Sequence, residues 1–160
     1  LKNRKLDYYF IMKNILLING PNLNLLGKRD VEIYGNKTLE DVEKLLVEYI
    51  LKNNFNNKYR IKSFQSNHEG DLIDFIQSNS KDSYAIIINP GGLTTVGFSL
   101  LDALIDSKLL SVEIHISNIH EREEFRRNSI FPNYCFTQIT GKGIKGYELA
   151  LEEILRKENW

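Results

Sequence analysis

The sequence is sparing with the residues that most often announce a function. A single cysteine, Cys135, excludes an intrachain disulfide. Its neighbours Tyr134 and Phe136 have strand character, so it is expected to be a buried structural thiol and no nucleophile. Net charge is absent as well: 21 Lys and Arg balance 21 Asp and Glu, leaving no overall field to draw the chain to nucleic acid or a membrane surface. No apolar run approaches the ~18 residues of a membrane span. The longest, such as Ile15 to Ile18 and Ala85 to Ile88, have the length of buried strands. The first dozen residues lack a long apolar region and a small-residue cleavage site, so they are not expected to be a secretory signal. Met12 stands directly before the first expected strand. Residues 1–11 are therefore expected to be an extension outside the fold, and residues 12–160 a single domain. The three histidines, His68, His115 and His120, have no metal-helix spacing and no second thiolate to join them, so no zinc site is expected.

What is present is regular alternation. In 160 residues, 42% hydrophobic and 26% charged, short apolar runs take turns with amphipathic segments. Strands are expected at Lys13 to Asn19, Tyr59 to Gln65, Tyr84 to Ile88, Leu110 to Ile116 and Tyr134 to Ile139. The first helix has Thr38 as N-cap with Glu40 and Asp41 in its opening turn, and runs through Leu39, Val42, Leu46 and Ile50 toward Asn53-Asn54. Further helices are expected at Glu69 to Ser78, at Thr95 to Ser107, and through Ile144, Tyr147, Leu151 and Leu155, with a charged turn or short helix at His120 to Arg127. Such alternation implies right-handed crossovers and a parallel sheet covered on both faces. The fold class is α/β, a flavodoxin-like, doubly wound, five-stranded parallel sheet.

Ligands in such sheets bind beyond the carboxyl ends of the strands. Four unusually polar loops fall at that end: Asn19 to Tyr34, Ser66 to Gly70, Asn89 to Thr95, and Ser117 to Arg126. In the first, Arg29 and Tyr34 are close enough in sequence for the guanidinium to lie by the phenol, where a cation favours the tyrosinate, the form that takes a proton. A surface tyrosine stacked on an arginine is the alternative. Glu113 and His115, two apart on a strand, point to one face, and the carboxylate would fix the imidazole tautomer for a general acid. A structural pair is the alternative there. Asn89-Pro90-Gly91-Gly92 lets backbone approach a ligand closely, and the backbone of Ile116 and Ser117 could hold an anion. The stretch Gly141 to Gly146 has dinucleotide-type glycine spacing, but it follows the last strand and no further strand with an acidic residue comes after it, so it is set aside.

These motifs together resemble type II 3-dehydroquinate dehydratase. The resemblance is carried by Asn19-Gly-Pro-Asn-Leu-Asn-Leu-Leu-Gly with Arg29 and Tyr34-Gly35, by Gln65-Ser-Asn-His-Glu-Gly, by Asn89-Pro-Gly-Gly, and by the run from Glu113 to Arg126. It implies an anti elimination of water from 3-dehydroquinate without metal or cofactor, in a cytoplasmic enzyme of the shikimate pathway. By the same resemblance Tyr34, made basic by Arg29, removes the C2 proton, Asn22 stabilises the enolate through a water, and His115, oriented by Glu113, protonates the departing C1 hydroxyl. Asn89, Gly92, Ile116 and Ser117 would hold the substrate with its carboxylate, Arg126 its ring hydroxyls, and Asp102 would reach a neighbouring subunit's site in a homododecamer of trimers. The chain departs from the family pattern where Thr-His-Thr-Ser is expected: Thr94-Thr95-Val96-Gly97 stands there, so Thr95 replaces a substrate-binding histidine. Leu101 replaces an arginine, and a lid proline near Val31 is missing. These changes imply weaker substrate binding and a lid ordered by ligand. Two other functions fit the same fold: a non-catalytic binder of a small polyhydroxy acid, and a flavin or nucleotide carrier.

Overall fold

A computed structural model describes residues 11–28, 32 and 35–158. Among them, five strands form one parallel sheet: β1 (Lys13–Asn19), β2 (Tyr59–Gln65), β3 (Ser83–Asn89), β4 (Leu110–His115) and β5 (Thr137–Thr140). Their spatial order is β2-β1-β3-β4-β5, so the winding direction reverses between β1 and β3. That is the flavodoxin-like order, and the reversal opens a crevice at the carboxyl ends of the two central strands. Among the described residues four helices cover the faces: α1 (Leu39–Lys52), α2 (Glu69–Asn79), α3 (Phe98–Ser107) and α4 (Lys145–Glu158). None of them is long and apolar enough to cross a membrane.

The central strands are apolar on both faces because both faces are covered. From β1, Ile15 and Leu17 enter the layer shared with α1 and α4, through Val42, Leu46, Leu151 and Ile154. Leu16 and Ile18 enter the opposite layer with Leu72 and Ile76 of α2 and Leu100 and Leu104 of α3. Each fully buried Ile or Leu of this kind contributes about 1.5–3 kcal/mol relative to exposure. At the start of α1 the Thr38 hydroxyl accepts the Asp41 N–H, and the Asp41 carboxylate accepts the Thr38 N–H at 2.9 Å. This capping box satisfies two donors that the helix itself cannot pair, and those hydrogen bonds hold the Asp41 carboxyl below the usual carboxylate range.

Several strand and helix ends differ from the sequence expectation by one residue, and two starts differ by three. The fifth strand begins at Thr137, not Tyr134, because the Tyr134 and Cys135 N–H groups both donate to the Phe131 carbonyl in a turn and are lost to the ladder. The helix expected from Thr95 begins at Phe98, because the N–H groups of Val96 and Gly97 both donate to the Leu93 carbonyl and close a 3-10 turn over Gly91–Thr95. Gly97 brings no side-chain cap to α3, and the Glu69 carboxylate of α2 accepts the Leu100 N–H at 3.0 Å instead.

The loops leaving β1 and β3 touch through their main chains. Gly20 N–H donates to the Asn89 carbonyl at 2.8 Å, and a Cβ on Gly20 would stand 2.2 Å from the Pro90 carbonyl oxygen. Gly91 meets Pro21 in the same way from the other side, at 2.8 Å. Neither loop has a flexible side chain to move aside at these points. Gly20→Ala is expected to destabilise the protein by at least about 1–3 kcal/mol, the scale of forced overpacking, read from the urea unfolding midpoint. An unchanged midpoint would show that the loops separate without cost.

Candidate active site

A pocket of about 440 Å³ opens over this contact, walled by the loops after β1, β3 and β4. Pro21, Asn22 and Leu26 come from the first loop. Asn22 is held in the left-handed region at φ 67°, and its N–H donates to Asn67 Oδ1 at 2.8 Å. Gln65 Nε2 donates to the same Asn67 oxygen at 3.1 Å, so the end of β2 fixes the turn that presents Asn22. From the β3 loop come Asn89, Gly92 and Thr95, and from the β4 loop His115, Ile116, Ser117 and Arg126. Thr94 braces the middle wall: its hydroxyl donates to the Gly91 carbonyl at 2.6 Å, while its own carbonyl accepts the Ile130 N–H at 3.0 Å.

Behind His115 lies a buried carboxylate. His115 Nε2 is 2.7 Å from Glu113 Oε1, and Glu113 is wholly buried. Two neutral donors complete its shell: Ser129 Oγ donates to Oε1 at 2.5 Å, and Gln138 Nε2 donates to Oε2 at 2.8 Å. The Ser129 oxygen in turn accepts the Phe131 N–H at 3.1 Å, which leaves its only proton for Glu113. A carboxylate so surrounded is an acceptor only, so His115 meets it with an N–H at Nε2 and keeps Nδ1 for the pocket. The arrangement can orient an imidazole and support a positive charge on it, as a proton donor requires.

The expected site residues thus fall into three groups. Asn22, Asn89, Gly92, Thr95, His115, Ile116, Ser117 and Arg126 surround one cavity, with Glu113 one layer behind. Asp102 does not border it and stands exposed on α3. Arg29 and Tyr34, with the lid expectation around Val31, lie outside the described residues. Sequence reasoning missed Ser129 and Gln138, and of the arginines in the polar loop after β4 it assigned only Arg126, although Arg122 also borders the pocket. Gln138 pairs in register with Glu113 across β4 and β5, a relation visible only once the register is known. Cys135, expected to be a buried strand residue, is only partly buried and sits in the turn before β5. Burial, with the nearby Glu113 charge, pushes its thiol up to about 12.

Comparison with known proteins decides the family: the profile of dehydroquinase class II matches residues 13–155. The chain belongs to that family. A 3-dehydroquinate dehydratase of Prochlorococcus marinus (strain MIT 9301) is 51% identical over 144 residues, spanning 90% of this chain and 95% of that protein. One from Halothermothrix orenii is equally 51% identical over 144 residues, with the same coverage. The crystal structure of the type II dehydroquinase from Butyrivibrio crossotus DSM 2876 aligns with a TM-score of 0.82 at 42% identity, covering 90% of this chain and 98% of that one. A further class II dehydroquinase, from Propionibacterium acnes, aligns with the same TM-score of 0.82 at 35% identity, covering 91% of this chain and 98% of the other.

Two outcomes follow from the buried carboxylate. Gln138→Leu leaves Glu113 Oε2 without its donor and is expected to cost about 1–3 kcal/mol, the penalty for an unsatisfied buried acceptor, measured by urea unfolding; an unchanged midpoint would mean that another donor takes its place. Cys135 is expected to resist iodoacetamide at pH 8 in the folded protein and to react on unfolding, since only the thiolate attacks. Rapid native-state labelling, followed by mass spectrometry, would contradict the raised thiol pKa.

Proposed function

We propose that this chain is a 3-dehydroquinate dehydratase that removes water across C1 and C2 of its substrate to give 3-dehydroshikimate, in the biosynthesis of aromatic compounds. The observation that carries the reading is His115 on the pocket wall, 2.7 Å from the buried Glu113 behind it, in a chain of the dehydroquinase class II family. In the proposed sequence Tyr34, made basic by Arg29, takes the C2 proton next to the ketone. The C2–H electron pair moves into an enolate, and Asn22, through a water, stabilises the developing negative oxygen. The enolate then re-forms the ketone as the C1–O bond breaks, and His115 gives its proton to the departing hydroxyl, which leaves as water. Glu113 steadies the imidazolium before that transfer.

Asn89, Gly92, Ile116 and Ser117 are assigned to the substrate and its carboxylate, and Arg126 to the ring hydroxyls. Thr95 supplies a shorter reach than a histidine would, so it is assigned a weaker hold on the substrate with the chemistry unchanged. Asp102, exposed on α3, is free to meet another subunit, in keeping with a homododecamer built from trimers. A cytoplasmic location completes the proposal.

Purified protein mixed with 3-dehydroquinate should develop the near-ultraviolet absorbance of the conjugated enone. A flat trace with ligand still bound would refute catalysis and leave a binding protein. Tyr34→Phe and His115→Ala should each lower kcat by about 10²–10⁴-fold, the scale of general acid or base catalysis, and wild-type turnover in either would remove that residue from its role. Thr95→His should lower KM by roughly fivefold, the equivalent of one hydrogen bond worth about 1 kcal/mol; an unchanged or higher KM would show that the threonine is not the weak point.

A further inference from the structure

The glycine-rich stretch that the sequence offers as a false dinucleotide motif has a place next to the site. The Gly141 N–H donates to the His115 carbonyl at 3.2 Å and the Gly143 N–H to the Ile116 carbonyl at 3.0 Å. Both glycines have positive φ, 73° and 58°, which lets the chain double back along the end of β4 before it enters α4. The first turn of α4 then delivers Tyr147, which is wholly buried.

The Tyr147 hydroxyl stands between the ends of the two central strands. It donates to Asn19 Oδ1 at 2.6 Å and accepts from Asn89 Nδ2 at 3.1 Å. Asn89 Oδ1 accepts the Gly91 N–H at 3.2 Å. All three side chains are buried, Asn19 and Asn89 at 2% and 3% exposure, so water does not substitute for these partners. Burial holds the Tyr147 phenol well above its ordinary pKa, a larger effect than the opposing hydrogen bond from Asn89, and the hydroxyl keeps its proton.

The polarity of this chain is fixed by elimination. The one phenolic proton is given to Asn19, so the oxygen has only acceptor capacity left for Asn89. An Asn89 amide turned by half a revolution would set its oxygen against those lone pairs and its NH₂ against the Gly91 N–H, losing two hydrogen bonds in a buried place. The observed orientation uses one hydrogen of Nδ2 and leaves the second for a ligand in the pocket that Asn89 borders.

We infer that Tyr147 is a positioning residue: its hydroxyl fixes the orientation of the Asn89 amide, so that Nδ2 is presented as a donor to the anionic group of the substrate. The inference rests on the assignment of Asn89 to the substrate carboxylate. Tyr147 touches no substrate itself and acts through Asn89.

The test is a double-mutant cycle on the full chain with Tyr147→Phe, Asn89→Ala and the pair. KM and kcat are measured for 3-dehydroquinate, and Kd for 3-dehydroshikimate by calorimetry. Tyr147→Phe keeps the ring that fills the core, and it is expected to raise KM and Kd by roughly fivefold, the worth of one ordinary hydrogen bond, with kcat within about twofold. In the Asn89→Ala background the same change should have no further effect on either constant. Multiplying effects would overturn the inference, because the tyrosine would then act independently of Asn89. So would a lowered thermal midpoint with unchanged KM and Kd, which is the mark of a purely structural hydroxyl. A wild type that binds the product without turning over substrate would sink the dehydratase reading alone, and the cycle in Kd would still decide this one. A wild type that neither turns over nor binds would overturn both.

Discussion

A charge kept in the dry interior governs this structure. Removing a carboxylate from water costs several kcal/mol unless partners restore what water supplied, and Glu113 has no exposed surface at all. Its three partners come from three different pieces of chain: His115 two residues on, Ser129 in the long loop after β4, and Gln138 in β5. Satisfying that one group therefore fixes the register of the last strand, the path of the loop that returns to it, and the orientation of the imidazole at the pocket wall. Buried polar networks of this kind specify one arrangement when every member is satisfied.

Much of this was legible in the sequence, and the reasons differ by element. The central strands announce themselves because a sheet covered on both faces needs unbroken apolar runs, as in Ile15 to Ile18. Helix α1 is written twice, in its apolar period and in the Thr38 and Asp41 cap. The site loops are visible because topology alone sends their polar residues to one end of the sheet. What escaped depends on distance in sequence. Pro132-Asn133 marks a turn just ahead of Tyr134, but the apolar run that follows outweighed it, and only the structure shows the Phe131 carbonyl drawing the Tyr134 and Cys135 N–H groups into that turn. Likewise Ser129 and Gln138 carry no sign of Glu113, 16 and 25 residues away. Tyr147 is more remote still, 128 residues from the asparagine it bonds at the end of β1.

The rim of the pocket, where the loops after β3 and β4 face solvent, is its least conventional part. Val96 is 60% exposed and Phe125 71%, and both line the cavity together with Thr95. Arg126 lies with its guanidinium 5.2 Å from the Phe125 ring, a cation–π distance. This side combines apolar surface with one planar cation, whereas the side held by His115 and Asn89 is polar, buried and fully braced. The two halves of the pocket are thus built to different standards of rigidity.

The contact of Gly20 with Pro90 and of Gly91 with Pro21 adds a consequence for how such a site can change over evolutionary time. The floor of the pocket is main chain pressed on main chain, so its contour does not depend on which side chains neighbouring positions carry. Mutation can reach the floor only by breaking it. The rim, with Thr95, Val96 and Phe125, can be rewritten one residue at a time while the floor keeps the reacting groups in place. A lineage exploring new substrates would therefore record its history on the rim, and the glycines beneath would stay as they are.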